Sequence, residues 1–261
     1  MSFTRAIVRP PGSTFADGLT SAADGAPDLA RALQHHQDYC AALGRCGLTL
    51  TRLDPDPRFP DGTFVEDTAI VTARGAILTR PGAPTRTGEI VSVAGALRAL
   101  FPHLRTIEAP GTVDGGDVCE ADGHFFIGVS ARTNPAGATQ LRSHLQELGY
   151  TASLVDIRSS PSLLHLKTGI AYLGDGVWVI AAAVETELEP LGLGALCDVI
   201  RVPPEEGYAA NCVRVNDCVL VPAGYPGIAA ALTDRGLEPL PLAMSEFKKM
   251  DGGLSCLSLR F

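Results

Sequence analysis

One pattern recurs four times in order along the 261-residue chain: a short apolar run, a tight turn, and a second apolar run. The copies run over 64–71 and 76–79 around Arg74-Gly75, then 116–120 and 124–128 around Asp122-Gly123. The third and fourth run over 165–173 and 177–180 around Gly174-Asp175-Gly176, and over 211–215 and 218–221 around Asn216-Asp217. They lie roughly 45 to 50 residues apart, a spacing typical of repeat architectures, in which one unit cannot bury its apolar face alone and must stack on its neighbours. Asp-Gly and Asn-Asp between β-branched runs are hairpin signals, because these residues tolerate the positive φ that tight hairpin turns require.

Helical patterns lie between the runs. Asn134-Pro135 reads as an N-cap with Pro at the first helical position, and Leu141, Leu145 and Leu148 then share a face that ends at Gly149. Ile90, Val93, Leu97 and Leu100 form a second stripe. A third helix opens at Pro27-Asp28, with Leu29, Leu33, His36, Cys40 and Leu43 expected inward. Residues 4–9 and 253–261 read as strands at the two ends of the chain. Pairing them into a fifth unit would close a ring of α/β units. Periodicity alone leaves this open against an open α/β sandwich.

Hydrophobic residues make up 46% of the chain and charged residues 19%, ordinary values for a globular protein with a sizeable core. The net charge of −8 disfavours nucleic acid as a partner, since an acidic chain repels a phosphate backbone. The longest apolar run, 177–184, is too short to span a bilayer and reads as a buried strand, so no membrane partner is expected. No linker, low-complexity tract or targeting segment stands out, and residues 1–261 read as a single cytoplasmic domain. The seven cysteines include no C-x-x-C pair, which argues against a disulfide framework or a zinc site.

Polar residues interrupt the repeats at one place, the beginning of each first strand. The set is Glu66-Asp67, Asp114 with Asp117, His165 and Cys256. Charged groups beside apolar strands are costly to bury unless paired or used, and a ring would bring these positions together. Taken singly, each has a plain alternative. Cys256 fits a buried thiol in a terminal strand, His165 a core or loop histidine, and Asp114-Gly115-Gly116-Asp117 a turn opening a strand. That turn lacks the Gly-Lys-Ser/Thr of a phosphate loop, and its carboxylates suit a cation. The other histidines fall on expected helices or turns and read as surface residues, leaving His165 as the best base candidate.

Seven ordered segments, 59–67, 111–117, 130–134, 165–169, 208–212, 222–226 and 251–256, resemble the dimethylarginine dimethylaminohydrolases over nearly the whole chain. The resemblance implies the five-bladed α/β propeller of guanidine-modifying enzymes, the pentein fold. It implies hydrolysis of methylated arginine to citrulline with no metal and no cofactor, and leaves a homodimer open. Carried over by position, Cys256 corresponds to the nucleophile and His165 to the general acid/base. Asp114 corresponds to the third catalytic acid, where some bacterial relatives have Glu. Asp67 corresponds to the carboxylate that pairs with the substrate guanidinium. Leu19, Asp61, Glu66, Arg86, Arg132 and Met250 fall where the family holds the amino-acid end, with Arg86 and Arg132 suited to its carboxylate. Arginine deiminases carry an Asp two residues after the matching histidine, where this chain has Lys167. The rival readings are a deiminase or amidinotransferase of the same superfamily, and a catalytically silent methylarginine-binding module.

Overall fold

The protein, described by a computed structural model over residues 2–160, 163–182 and 198–261, is built from five three-stranded sheets. Strand β1 (Arg5–Val8), helix α1 (Leu29–Arg45) and strand β2 (Thr49–Arg52) begin the ring. Strands β3 (Ala69–Thr72) and β4 (Gly75–Leu78), helix α2 (Ile90–Arg98) and β5 (Leu104–Thr106) form the next unit. After them come β6 (Val118–Ala121), β7 (His124–Val129), α3 (Pro135–Glu147) and β8 (Thr151–Asp156). The four-residue helix α4 (Leu166–Gly169) leads into β9 (Ile170–Tyr172), β10 (Val177–Ala181) and β11 (Asp198–Val202). The last complete unit is β12 (Val213–Val215), β13 (Cys218–Pro222), α5 (Pro226–Thr233) and β14 (Glu238–Leu242). A short helix α6 (Ser245–Lys248) and strand β15 (Leu259–Arg260) close the chain.

Every sheet repeats one scheme. The inner strand pairs antiparallel with the middle strand across the hairpin, and the middle strand pairs parallel with the outer one. A parallel pair needs a crossover, and α1, α2, α3 and α5 supply it in four of the five units. The crossover between β10 and β11, with Ala183, Val184 and Cys197, lies outside the described residues. The fifth unit joins the two chain ends: β15 pairs antiparallel with β1 through Ala6↔Arg260 and Ile7↔Leu259. This is the five-bladed α/β propeller, and it excludes the open sandwich.

The hairpin turns behave as their residues dictate. Asp122, Asp175 and Asn216 adopt φ of 48°, 54° and 55°. Helix α3 is capped by Asn134, whose side chain accepts from Gly137 N at 2.8 Å, and it buries Leu141 and Leu145 completely. Helix α1 is capped by Asp28, which accepts from Arg31 N at 2.9 Å. Its buried face is Ala32, His35, His36, Tyr39, Cys40 and Leu43. His36, Cys40 and Leu43 are buried as expected and Leu29 packs against the same core, but Leu33 is 42% exposed and the buried face widens to take in Ala32, His35 and Tyr39. His36 is buried as its place on the stripe implies, and His35 is buried as well, so neither of these two is a surface histidine.

A second difference concerns the inner strands. Each was expected to begin at the polar cluster, and each instead begins after a short helical segment. These segments span Val65–Thr68, Gly115–Asp117, Leu166–Gly169, Pro204–Ala210 and Ser255–Leu257. A helical turn frees backbone N–H groups to meet buried side chains, which a paired strand cannot do. The inner strands enclose an axial cavity of about 410 Å³. Glu66, Gly115, Lys167 and Ser255, all on the helical turns, also line it. The turns thus form a partition between this cavity and a smaller cleft on their other side.

Blade-to-blade packing around α3 should dominate local stability. Leu141→Ala is expected to lower the unfolding free energy by about 2–4 kcal/mol, as for other buried leucines. Urea denaturation followed by circular dichroism measures it, and a loss well under about 1 kcal/mol would contradict this packing.

Candidate active site

Cys256 and His165 open into the same cleft, together with Leu19, Asp61, Asp67, Arg86, Arg132 and Met250. Phe64, Leu164 and Gly252, which the sequence did not single out, complete much of its wall. Asp114 stands behind His165: His165 Nε2 and Asp114 Oδ2 are 3.0 Å apart, and Asp114 is fully buried. Its other oxygen accepts from Gly82 N at 2.8 Å. Glu66 lines the axial cavity and is absent from the cleft wall. It accepts from Lys167 Nζ at 2.6 Å, Ser255 Oγ at 2.7 Å and Arg260 Nη2 at 3.4 Å, beneath the segment that carries Cys256.

Local chain geometry explains the placement. His165 is the N-cap of α4, and its backbone N–H donates to Thr168 Oγ1 at 3.3 Å while its carbonyl accepts from Thr168 N at 3.0 Å. Asp117 accepts from Leu166 N at 3.0 Å and from Ser130 Oγ at 2.6 Å, fixing that same turn from the neighbouring blade. Cys256 lies in a single 3-10 turn, where its Sγ accepts from Gly253 N at 3.4 Å. Asn211 joins the two turns: its Nδ2 donates to Lys167 O at 2.8 Å and Ser255 Oγ at 3.0 Å, and its Oδ1 accepts from Ser255 N at 2.9 Å. The glycine pair beside Asp114 is forced by close approach. A Cβ on Gly115 would lie 2.0 Å from Glu66 O, and one on Gly116 would lie 2.7 Å from His165 Nδ1.

Asp67 is held at both oxygens, by Gly116 N at 2.9 Å and Arg86 Nη1 at 2.6 Å. Arg86 is itself buried, and its remaining partners include Glu89 and the Phe64 carbonyl. Arg132 is half-buried, and its guanidinium makes no hydrogen bond among the described residues. Asp61 accepts from Leu19 N at 3.0 Å, which ties the 18–20 loop to the cleft. Asp67, Asp114 and His165 each offer one ligand atom within 4.8 Å of one another, a spacing that would admit a metal ion as well as a compact organic cation.

The electrostatics of this cluster follow from burial. Burial opposes charge on His165, but Asp67, Asp117 and Asp114 outweigh it and raise the imidazolium pKa to about 9. Burial likewise opposes ionisation of Asp67, yet the positive charges of His165 and Arg86 hold its carboxyl down at about 2. The Cys256 thiol is pushed up to about 12, by burial first and then by the Glu66 and Asp67 carboxylates. At neutral pH the cleft therefore holds a neutral thiol and a protonated imidazole, and its wall sets Asp61, Asp67 and Asp251 against Arg86, Arg132 and His165. A cation seated at Asp67, close to the thiol, would favour the thiolate.

Linkage fixes the pH behaviour. The stability contributed by charged His165 is fully present below its ordinary value of 6.5 and is lost as pH rises through about 9. The stability contributed by Asp67 is present above its ordinary value of 3.8 and is lost as pH falls through about 2. Asp114→Asn removes one of the carboxylates facing His165, so the His165 titration midpoint, followed by NMR of the ring, should fall. A midpoint at or above that of the unchanged protein would contradict the pairing.

A family profile described as arginine deiminase matches residues 24–195. The chain is 43% identical over 260 residues to the N(G),N(G)-dimethylarginine dimethylaminohydrolase of Pseudomonas aeruginosa, spanning 99% of this chain and 100% of that one. It is 34% identical to the enzyme of the same name from Streptomyces coelicolor, spanning 100% of this chain and 98% of that one. A solved structure of a cysteine-to-serine variant of the Pseudomonas aeruginosa enzyme complexed with citrulline superposes with a TM-score of 0.95 at 42% identity, over 100% of both chains. The chain belongs to the arginine deiminase family and, within it, to the dimethylarginine dimethylaminohydrolases.

Proposed function

We propose that residues 1–261 act as one hydrolase unit that converts N-omega-methylated arginine to citrulline and methylamine or dimethylamine. The observation that carries this reading is the convergence of Cys256, His165 and a carboxylate fixed at both oxygens, Asp67, on one cleft. Identity of 43% over 99% of the chain to a dimethylarginine dimethylaminohydrolase supports the same chemistry.

In this reading the substrate guanidinium enters against Asp67. Its charge offsets the carboxylates that hold the Cys256 thiol protonated, and the thiol loses its proton to solvent. The thiolate attacks the central carbon of the guanidinium. Imidazolium at His165, held by Asp114, gives its proton to the departing methylated amine as the C–N bond breaks. A thiouronium on Cys256 remains. Neutral His165 then takes one proton from water, whose oxygen bonds to the same carbon, and the C–S bond breaks as the remaining hydroxyl proton passes to the departing Cys256 sulfur, releasing citrulline. Arg132, whose guanidinium makes no hydrogen bond among the described residues, receives the α-carboxylate, and Asp61 and Leu19 border the amino-acid end. The apolar side chains of Leu19, Phe64, Leu164 and Met250 suit methyl and methylene groups.

The deiminase reading is weakened at Lys167. An acid two residues after His165 would give the site one more carboxylate, whereas the Lys167 ammonium is spent on Glu66 at 2.6 Å. A cytoplasmic setting fits the six described cysteines, all of them free thiols. Purified protein given asymmetric dimethylarginine should form citrulline and dimethylamine in equal amounts, with little citrulline from plain arginine. Cys256→Ser should reduce turnover by about a thousandfold or more. Ammonia from arginine as the main product would move the activity to the deiminases. Absence of product from either compound would leave a binding module.

A further inference from the structure

The two cleft arginines are committed very differently. The Arg132 guanidinium makes no hydrogen bond among the described residues and meets only the charge of Asp61. Arg86 is nearly saturated. Its Nε donates to Glu89 at 3.1 Å and its Nη2 to Glu89 and the Phe64 carbonyl at 2.9 and 3.0 Å. One Nη1 hydrogen goes to Asp67 at 2.6 Å, leaving a single Nη1 hydrogen uncommitted. Its side chain is 5% exposed, and those of Asp67 and Glu89 are 3% and 1% exposed.

This arrangement has a direct chemical consequence. Asp67 is oriented by Gly116 N on one oxygen and by Arg86 on the other. Without the Arg86 guanidinium, Asp67 and Glu89 would be buried without their shared cation. Asp67 would keep the His165 charge but lose both the charge and the hydrogen bond of Arg86, so burial would weigh more toward its protonated form and one oxygen would lose the contact that aims it. A protonated or rotated Asp67 cannot receive a substrate cation. From these contacts we infer that Arg86 is a positioning residue for the guanidinium seat, acting through Asp67. Its main contribution is to the reacting end of the substrate, and Arg132 carries the carboxylate end. The inference rests on the proposed guanidinium chemistry but can be tested without methylarginine turnover.

The probe is chloroacetamidine, an amidinium that carries no carboxylate, compared with the neutral chloroacetamide. In each case the Cys256 sulfur bonds to the methylene carbon, chloride leaves with the C–Cl bonding electrons, and the thiol proton goes to solvent. The rate ratio of amidinium to amide, read by mass spectrometry of the Cys256 peptide, reports the seat for the cation alone. Arg132→Gln should leave that ratio within about twofold of the unchanged protein, since the probe has nothing for Arg132 to hold. Arg86→Gln should lower it by about tenfold or more, the scale of one lost charge-assisted contact. Arg86→Lys keeps a charge at Asp67 but cannot reach Glu89 and the carbonyl together, so it should fall between the two. If Arg86→Gln fails to fold by circular dichroism, the Lys variant decides. A ratio in the folded Arg86 variant equal to that of the unchanged protein overturns the inference. So does an equal loss in the Arg132 variant, or the absence of any amidinium preference in the unchanged protein. Amidinium preference lost on Arg86 substitution, in a protein that turns over no methylarginine, would sustain this inference while removing the proposed substrate.

Discussion

Putting several carboxylates into the middle of a small ring is the constraint on which the rest of this protein depends. Asp67, Asp114 and Asp117 are each 2% exposed or less, and Glu66 and Glu89 are 4% and 1% exposed. Unpaired, such a set would repel itself and would not ionise. It is stabilised by cations from its own and from other blades: Arg86 of the same unit at Asp67 and Glu89, and from other units His165 at Asp114 and Lys167 with Arg260 at Glu66. The pairs His165–Asp114, Lys167–Glu66 and Arg260–Glu66 therefore also join separate units across the axis. The helical turns before the inner strands exist to meet this demand, because their backbone N–H groups at Gly116 and Leu166 finish what the cations begin.

The pairing also divides the axis into two compartments with different character. On one side, Glu66 is fully engaged with Lys167, Arg260 and Ser255 and supports the Cys256 segment from below. On the other, Asp67 faces the cleft with a lone pair left for a ligand. The two adjacent acids thus divide their work, one bracing the nucleophile and the other receiving charge. Burial first, and then the Glu66 and Asp67 carboxylates, raise the Cys256 thiol, while Asp67, Asp117 and Asp114 together raise the His165 imidazolium against burial.

Much of this was legible in the sequence because it is periodic. The hairpins at Asp122-Gly123 and Asn216-Asp217 and the cap at Asn134 follow from local chemistry repeated in order, whereas periodicity left the closure of residues 4–9 onto 253–261 open and only the family resemblance implied it. Cys256, His165, Asp67 and Asp114 fall at equivalent points of different units, so one ring brings them together. The exposure of Leu33 on α1 was not legible, because Leu33 and Ala32 are both acceptable on a buried face. Nor was the role of Glu89, a helix-start residue three positions after Arg86 whose spacing is common on any exposed turn. Burial converts that ordinary pair into a structural one. The seat of Glu66 in the axial wall, apart from its neighbour Asp67, needed the helical turn at 65–68, which a strand reading hides.

The central claim is that the cleft keeps Cys256 protonated until a cation arrives. Ultraviolet thiolate absorbance against pH, taken as the difference from a Cys256→Ser background, tests it directly, with and without a saturating unreactive alkylguanidinium. The account predicts that the free protein shows no Cys256 thiolate until far into the alkaline range, toward the value of about 12, and that the bound cation moves the midpoint down. A thiolate already present at neutral pH in the free protein, or a midpoint that the cation leaves unmoved, would contradict it.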